Sequence, residues 1–219
     1  MYVLYGGRFT RAVLPQIVLE EGALSYELRE LDILAGDHRR PEYLALNPAG
    51  YVPALVTPEG EVLHEAAAIM LYLAERHGLA GLAPGAADAW RGTFLSKLFF
   101  LTNDIQPAMK RAFYPERYST DRADAPRIRA RALATALERF RVVDRHLAAN
   151  GPYHLGGRYS LVDPYLAFWA LLYDARDELF AACPAVKGCC ELVLRRPKAG
   201  PLLQRIASMG ADYKAAKRG

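Results

Sequence analysis

The feature that most constrains this chain is an abrupt change of pattern near residue 80. Before it, strand and helix signals alternate within a short length. Tyr2 to Tyr5 is an apolar, aromatic run closed by Gly6 and Gly7, which predicts a strand. Thr10 then precedes Val13, Leu14, Ile17 and Val18, an amphipathic helical spacing with a hydroxyl at its start. Pro15 falls early in that helix, where its missing N–H costs least, and Gly22 ends it. Residues 25–31 alternate as a second strand, and residues 41–46 predict a short helix. The runs 52–56 and 61–63 flank Pro58-Glu-Gly60 as an antiparallel hairpin. Residues 65–77 predict a helix with Ala66, Ile69, Met70, Leu73 and Ala74 on one face and Gly78 at its end. After the stretch Gly78-Leu-Ala-Gly-Leu-Ala-Pro-Gly85, no segment reads as a strand. The pattern instead predicts helices at 88–114, 126–149, 160–174, 184–195 and 201–209.

The order β-α-β-α-β-β-α is the thioredoxin-like one. The chain therefore reads as α/β plus all-α: a thioredoxin-like domain over residues 1–79, a linker at 80–85 and an all-helical bundle over 86–219. A hydrophobic content of 52% supplies a sizeable core and excludes intrinsic disorder as the default. No apolar run approaches bilayer length, and the start lacks a secretory pattern, so a cytoplasmic protein without membrane partners is expected. The net charge of +4 is small and its sources are interspersed with acids. The densest basic stretch, Arg127-Ile-Arg-Ala-Arg131, reads as a solvated helix face and not as a nucleic-acid site. Cys183, Cys189 and Cys190 all lie in the C-terminal third and show no CxxC spacing. That argues against a disulfide framework, against zinc or any other metal, and against thiol–disulfide chemistry by a cysteine of the N-terminal half.

Four segments together resemble the soluble glutathione transferase superfamily. Asn47-Pro-Ala-Gly-Tyr-Val-Pro-Ala-Leu55 is similar to the family's NPxGxVPxL segment. Leu63-His-Glu-Ala-Ala-Ala-Ile69 stands where the family has an LxESxAI-like one. The Ala/Gly/Pro linker falls at the family's domain boundary. Gly156-Gly-Arg-Tyr-Ser-Leu-Val-Asp163 resembles the family's capping box, a hydroxyl followed three residues later by a carboxylate before an apolar run.

The resemblance implies glutathione as co-substrate. Val52, before a cis Pro53, would offer its N–H and C=O to the cysteinyl unit as an added strand does. Glu65 would pair with the γ-glutamyl ammonium, and the N–H groups of Ala66 and Ala67 would seat the γ-glutamyl carboxylate at a helix N-terminus. Ala66 replaces the family's usual serine. One hydrogen bond to a charged group is thereby lost, which costs about 1.5–3 kcal/mol. His38, Arg39 and Arg40 are the cations near the glycyl carboxylate, and the alternative for them is a solvated basic loop.

A free thiol of pKa near 8.5 is only about 3% thiolate at pH 7; lowering it by two units, roughly 2.7 kcal/mol, raises that to about three-quarters. A hydroxyl donating to the sulfur does this. Tyr5, at the end of the first strand, and Thr10, at the start of the first helix, are the two candidates, with Tyr5 preferred because Thr10 has a competing capping task. Arg11 is the cation nearby, and no cysteine stands in this loop. Asn103 and Gln106 are the polar positions of the first long helix expected to meet a hydrophobic electrophile. The resemblance also implies a homodimer. The expected reaction is thiolate attack on a small electrophile. Glutathione-dependent isomerisation, dehalogenation or ether cleavage, and ligand binding without turnover, are the alternatives.

Overall fold

The computed structural model describes residues 1–7 and 10–216, with side chains through residue 209. It divides into two compact units, Met1–Ala83 together with Leu194–Gly219, and Pro84–Val193.

The first unit carries the sheet. Strands β1 (Tyr2–Gly6), β2 (Tyr26–Glu30), β3 (Ala54–Val56) and β4 (Val62–His64) lie in the order β2-β1-β3-β4. β1 and β2 are parallel, whereas β1–β3 and β3–β4 are antiparallel. With helices α1 (Val13–Glu21), α2 (Pro41–Leu46) and α3 (Ala66–Arg76), this is the thioredoxin-like arrangement. Strand β1 alternates as a half-buried strand should: Tyr2 and Leu4 are buried, while Val3 and Tyr5 are half-buried. Leu4 and Leu55 join Leu14, Ile17, Ile69, Met70 and Leu73 among the fully buried side chains, and α1 packs on α3. Around Tyr43 of α2 lies a second cluster with Ala12, Val52 and Ala54, against which Tyr5 packs. The last helix, α10 (Ala199–Ala216), groups with the sheet and not with the helices that precede it in sequence. It packs on α1, and just before it Arg196 grips Glu21 through two bonds of 2.9 and 2.7 Å.

The second unit holds α4 (Arg91–Phe100), α5 (Gln106–Phe113), α6 (Ala125–Asn150), α7 (Val162–Leu172), α8 (Arg176–Ala182) and α9, which begins at Pro184 and ends at Leu194. The single helix expected over 88–114 is interrupted. Residues Leu101–Ile105 form a π-helical turn in which the Gln106 N–H reaches back to the Leu101 carbonyl. The cause is Pro107: it has no N–H for the Asn103 carbonyl, and its ring crowds that carbonyl. Helix α7 is buried on every side and forms the centre of this unit. Among the described residues, no helix is long and apolar enough to cross a membrane.

One pH response follows from α6. His146 is half-buried, and its Nε2 meets the His154 carbonyl at 2.9 Å. Burial lowers its pKa more than that hydrogen bond raises it. The unfolded chain then binds the extra proton more readily, so this contribution is intact above the unfolded value near 6.5 and is lost as pH falls below it. Melting temperature should therefore drop between pH 7 and pH 5 by more in the wild type than in His146→Gln. Parallel melting curves for the two proteins would remove the assignment.

Candidate functional site

The segment ahead of β3 is built by local turn chemistry. Asn47 closes an Asx turn, its Oδ1 accepting from the Ala49 N–H at 3.2 Å while its carbonyl accepts from the Gly50 N–H at 2.8 Å. Gly50 has φ +62°, and a Cβ there would stand 2.7 Å from Arg39 Nη1. The positive φ is what favours glycine at this position, since the arginine tip swings aside at little cost. The next carbonyl, of Tyr51, accepts from Tyr43 Oη at 2.6 Å and from Asn47 Nδ2 at 2.7 Å. A cis bond joins Val52 to Pro53. Among the described residues, neither the N–H nor the C=O of Val52 has a hydrogen-bond partner.

Register brings this bend to the start of α3. Ala54 pairs with His64, so the last pair of the β3–β4 ladder stands directly after Pro53 on one strand and directly before Glu65 on the other. Glu65 adopts φ +72° and ψ +116°, a conformation that non-glycine residues rarely hold. Backbone strain of this kind concentrates at functional sites. No side chain caps α3, and the N–H groups of Ala66 and Ala67 have no partner among the described residues. Ala66 is itself buried. Arg11 Nη1 lies 3.8 Å from Glu65 Oε2; the arginine side chain is 12% exposed and the carboxylate 65%. The arrangement is an outward carboxylate with a sheltered cation 3.8 Å away, at the start of a helix with two uncapped amides, and an unpaired main-chain bend at Val52 just ahead of β3. An α-amino acid carboxylate and ammonium, followed by a peptide unit, would find complementary groups there.

The two candidate hydroxyls differ in what they are doing. Thr10 is only 5% exposed. Its Oγ1 donates to the Gly7 carbonyl at 2.9 Å and accepts from the N–H groups of Gly7 and Ala12 at 3.3 and 3.2 Å. Its proton is engaged in holding the turn. Tyr5 packs against the cluster of Ala12, Tyr43, Val52 and Ala54, and its Oη accepts from Arg29 Nη1 at 2.7 Å. The same guanidinium lies over the Tyr5 ring, 5.5 Å from its centroid, so a cation–π contact accompanies the hydrogen bond. Tyr5 pairs with Arg29 across β1 and β2, which puts both side chains on one face. Sequence reasoning missed Arg29 because that pairing depends on the register of two parallel strands. It also missed Tyr43, whose hydroxyl target lies eight residues away.

His38 sits in the 3₁₀ turn Asp37–Arg39, whose Arg39 guanidinium and His38 carbonyl border Gly50. Arg40 is occupied with Asp37 at 2.9 Å. In the helical unit, Asn103 is exposed within the π-helical turn, its Oδ1 accepting from Thr102 at 3.2 Å. Gln106 is 9% exposed, and its Oε1 accepts from Tyr165 Oη at 2.7 Å, which gives it a task inside the bundle.

Residues 15–76 match the family model described as Glutathione S-transferase, N-terminal domain. Glutathione S-transferase 3 of Zea mays is 32% identical over 188 residues, 82% of each chain. The disulfide-bond oxidoreductase YfcG of Escherichia coli (strain K12) is 30% identical over 209 residues, covering 90% of this chain and 91% of that one. Among solved structures, a glutathione transferase homologue from Sulfitobacter with bound glutathione superposes with a TM-score of 0.83 at 26% identity, over 94% of this chain and 98% of that chain.

Proposed function

Because the chain belongs to the glutathione S-transferase superfamily, we propose that it binds glutathione beside the β4–α3 junction and activates the thiol for attack on a small hydrophobic electrophile. The observations that support this best are the uncapped amides of Ala66 and Ala67 behind Glu65 and the unpaired main chain of Val52, carried by the paired ends of β4 and β3. Glu65 takes the γ-glutamyl ammonium, the helix amides take its carboxylate, and Val52 pairs with the cysteinyl unit. Pro53 ends that pairing stretch, and Arg11 holds the Glu65 carboxylate from beneath. His38 and Arg39 are the groups assigned to the glycyl carboxylate. On the helical unit, Asn103 is preferred to Gln106 for contact with the electrophile, since it is the exposed amide of the two.

Tyr5 is the hydroxyl that the hydrogen bonds favour. Arg29 donates to its oxygen, which leaves the phenolic O–H to donate to a sulfur, whereas the Thr10 hydroxyl donates to the Gly7 carbonyl. If Tyr5 supplies the two-unit depression described above, Tyr5→Phe should cut the rate with a generic aryl halide at pH 7 by about 25-fold. Thr10→Ala should change it by no more than about threefold unless the turn collapses. Ultraviolet titration of the bound thiolate in each variant checks the cause. A Tyr5→Phe protein with full rate and an unchanged thiolate titration would remove Tyr5 from the mechanism.

The 30% identical oxidoreductase supports a second reading, glutathione-dependent disulfide reduction. All three cysteines are buried, and burial raises their thiol pKa values, to about 11 for Cys183 and about 12 for Cys190. The sulfur chemistry would then be glutathione's own. One thiolate attacks a disulfide and releases a thiolate, and a second attacks the mixed disulfide, giving oxidised glutathione and the other thiol. Turnover of a small disulfide, but of no aryl halide, selects this reading over the first.

A further inference from the structure

We propose that Tyr43 and Asn47 are positioning residues for glutathione, acting by fixing the direction of the Val52 N–H; the inference rests on the assignment of Val52 to the cysteinyl unit. Two short hydrogen bonds converge on one carbonyl. Tyr43 Oη lies 2.6 Å and Asn47 Nδ2 2.7 Å from the oxygen of Tyr51. Both donor residues are 3% exposed, so water does not compete for that oxygen from their side. A carbonyl has two lone pairs, and here both are occupied from the side of α2.

The consequence passes through the peptide plane. The cis bonds among the described residues are Val52–Pro53 and Gly151–Pro152, so the Tyr51–Val52 bond is trans. In a trans peptide the C=O and N–H point in opposite directions. Drawing the Tyr51 carbonyl toward α2 therefore turns the Val52 N–H away from α2, and that N–H has no partner among the described residues. Were the carbonyl free, the plane could rotate about its flanking torsions, and the donor would have to be reoriented for each binding event. Holding it in advance removes that cost.

The sequence supports the device at each step. Pro41 starts α2 with its φ preset, and the helix then delivers Tyr43 inward among Ala12, Val52 and Ala54. The Asn47 N–H bonds to the Tyr43 carbonyl at 2.9 Å, tying the two donors to each other. Burial pushes the Tyr43 hydroxyl up to about 12, so it remains a donor throughout the working range. Asn47 uses one amide atom for the Ala49 turn and the other for Tyr51.

The test is Tyr43→Phe, which keeps the ring and removes one donor, with Asn47→Ser as a second variant that retains a short acceptor but cannot reach Tyr51. Calorimetric titration with glutathione should give a Kd raised about tenfold in each, the value of one hydrogen bond. KM for glutathione should rise in parallel, while kcat at saturating glutathione stays within about twofold. Hydrogen exchange supplies the local readout: glutathione should protect the Val52 amide in the wild type and protect it less in Tyr43→Phe. A lower melting temperature with unchanged Kd in both variants would make the pair merely structural and overturn the proposal. No heat with glutathione in the wild type would overturn the Val52 assignment itself, and this inference with it.

Discussion

Replacing Glu65 by Gln is expected to weaken glutathione binding by about 100-fold while leaving the melting temperature nearly unchanged. The size follows from a hydrogen bond between charged groups, worth about 1.5–3 kcal/mol, together with loss of the Coulomb attraction to the ammonium. The small stability effect follows from exposure: the carboxylate is 65% exposed, and its ion pair with Arg11 is long at 3.8 Å. Such pairs contribute little to folding. The positive φ of Glu65 is a main-chain property that glutamine inherits, so substitution neither relieves nor adds strain. A double-mutant cycle fixes the partner. Glutathione lacking its γ-glutamyl amino group should bind the wild type about as weakly as intact glutathione binds Glu65→Gln. The variant should then discriminate little between the two ligands. Full discrimination by the variant would show that Glu65 does not meet the ammonium.

The parts of this site that could be read from sequence are those made by local chemistry. Asn47 and Gly50 carry turn geometry that their residue types favour, so the turn before β3 was legible residue by residue, whereas the cis bond at Pro53 followed only from the resemblance, proline by itself favouring trans. The short helix 41–46 was also legible, because Pro41 starts it and a hydrophobic pair follows. What that helix does with Tyr43 was not, since a hydroxyl's target depends on how the chain folds back. The same limit applies to Tyr5. Its sequence position marked it as a candidate, but its partner Arg29 is 24 residues away on a parallel strand. Thr10 carries both a catalytic and a capping expectation; its Oγ1 bonds Gly7 and Ala12, while no side chain caps α1.

In the helical unit, strong periodicity gave the helices, but not their interruptions. The run 88–114 keeps its apolar spacing through Pro107, and the π-helical turn is how the chain preserves that face while the ring is accommodated. Helix α8 escaped notice because seven residues carry fewer than two full turns of pattern. The C-terminal helix is expected with its sequence neighbours, yet it packs on α1, and Arg196 just before it pairs with Glu21 of α1. Amphipathicity says which face of a helix is buried. It does not say against what.

Asp163→Ala should have the largest effect on stability, about 4 kcal/mol, which for a chain of this size lowers the melting temperature by about 10 °C. The carboxylate is fully buried. Its Oδ1 accepts from the His154 N–H at 2.9 Å and from His154 Nδ1 at 2.8 Å, with Cys189 Sγ at 3.8 Å. Its Oδ2 accepts from the Ser160 N–H at 2.7 Å and from Ser160 Oγ at 3.3 Å. The capping pattern expected at Ser160–Asp163 is therefore present in its carboxylate half, while the serine hydroxyl turns inward to the acid instead of capping a helix amide. Removing the acid strands two buried main-chain N–H groups and an imidazole N–H, each at the cost of an unmet donor. His154, Asp163 and Cys189 are also close enough to suggest metal ligands. Burial, however, keeps the thiol protonated, and the acid's lone pairs are already committed to N–H and hydroxyl donors. Asp163→Asn, which retains one carbonyl oxygen, should fall between the wild type and Asp163→Ala. The cradle residues belong to the other unit, so Asp163→Ala assayed well below its melting temperature should bind glutathione with wild-type affinity. That is the reverse of the pattern for Glu65→Gln. An Asp163→Ala protein that melts normally would show that the network is not what holds α7 in place.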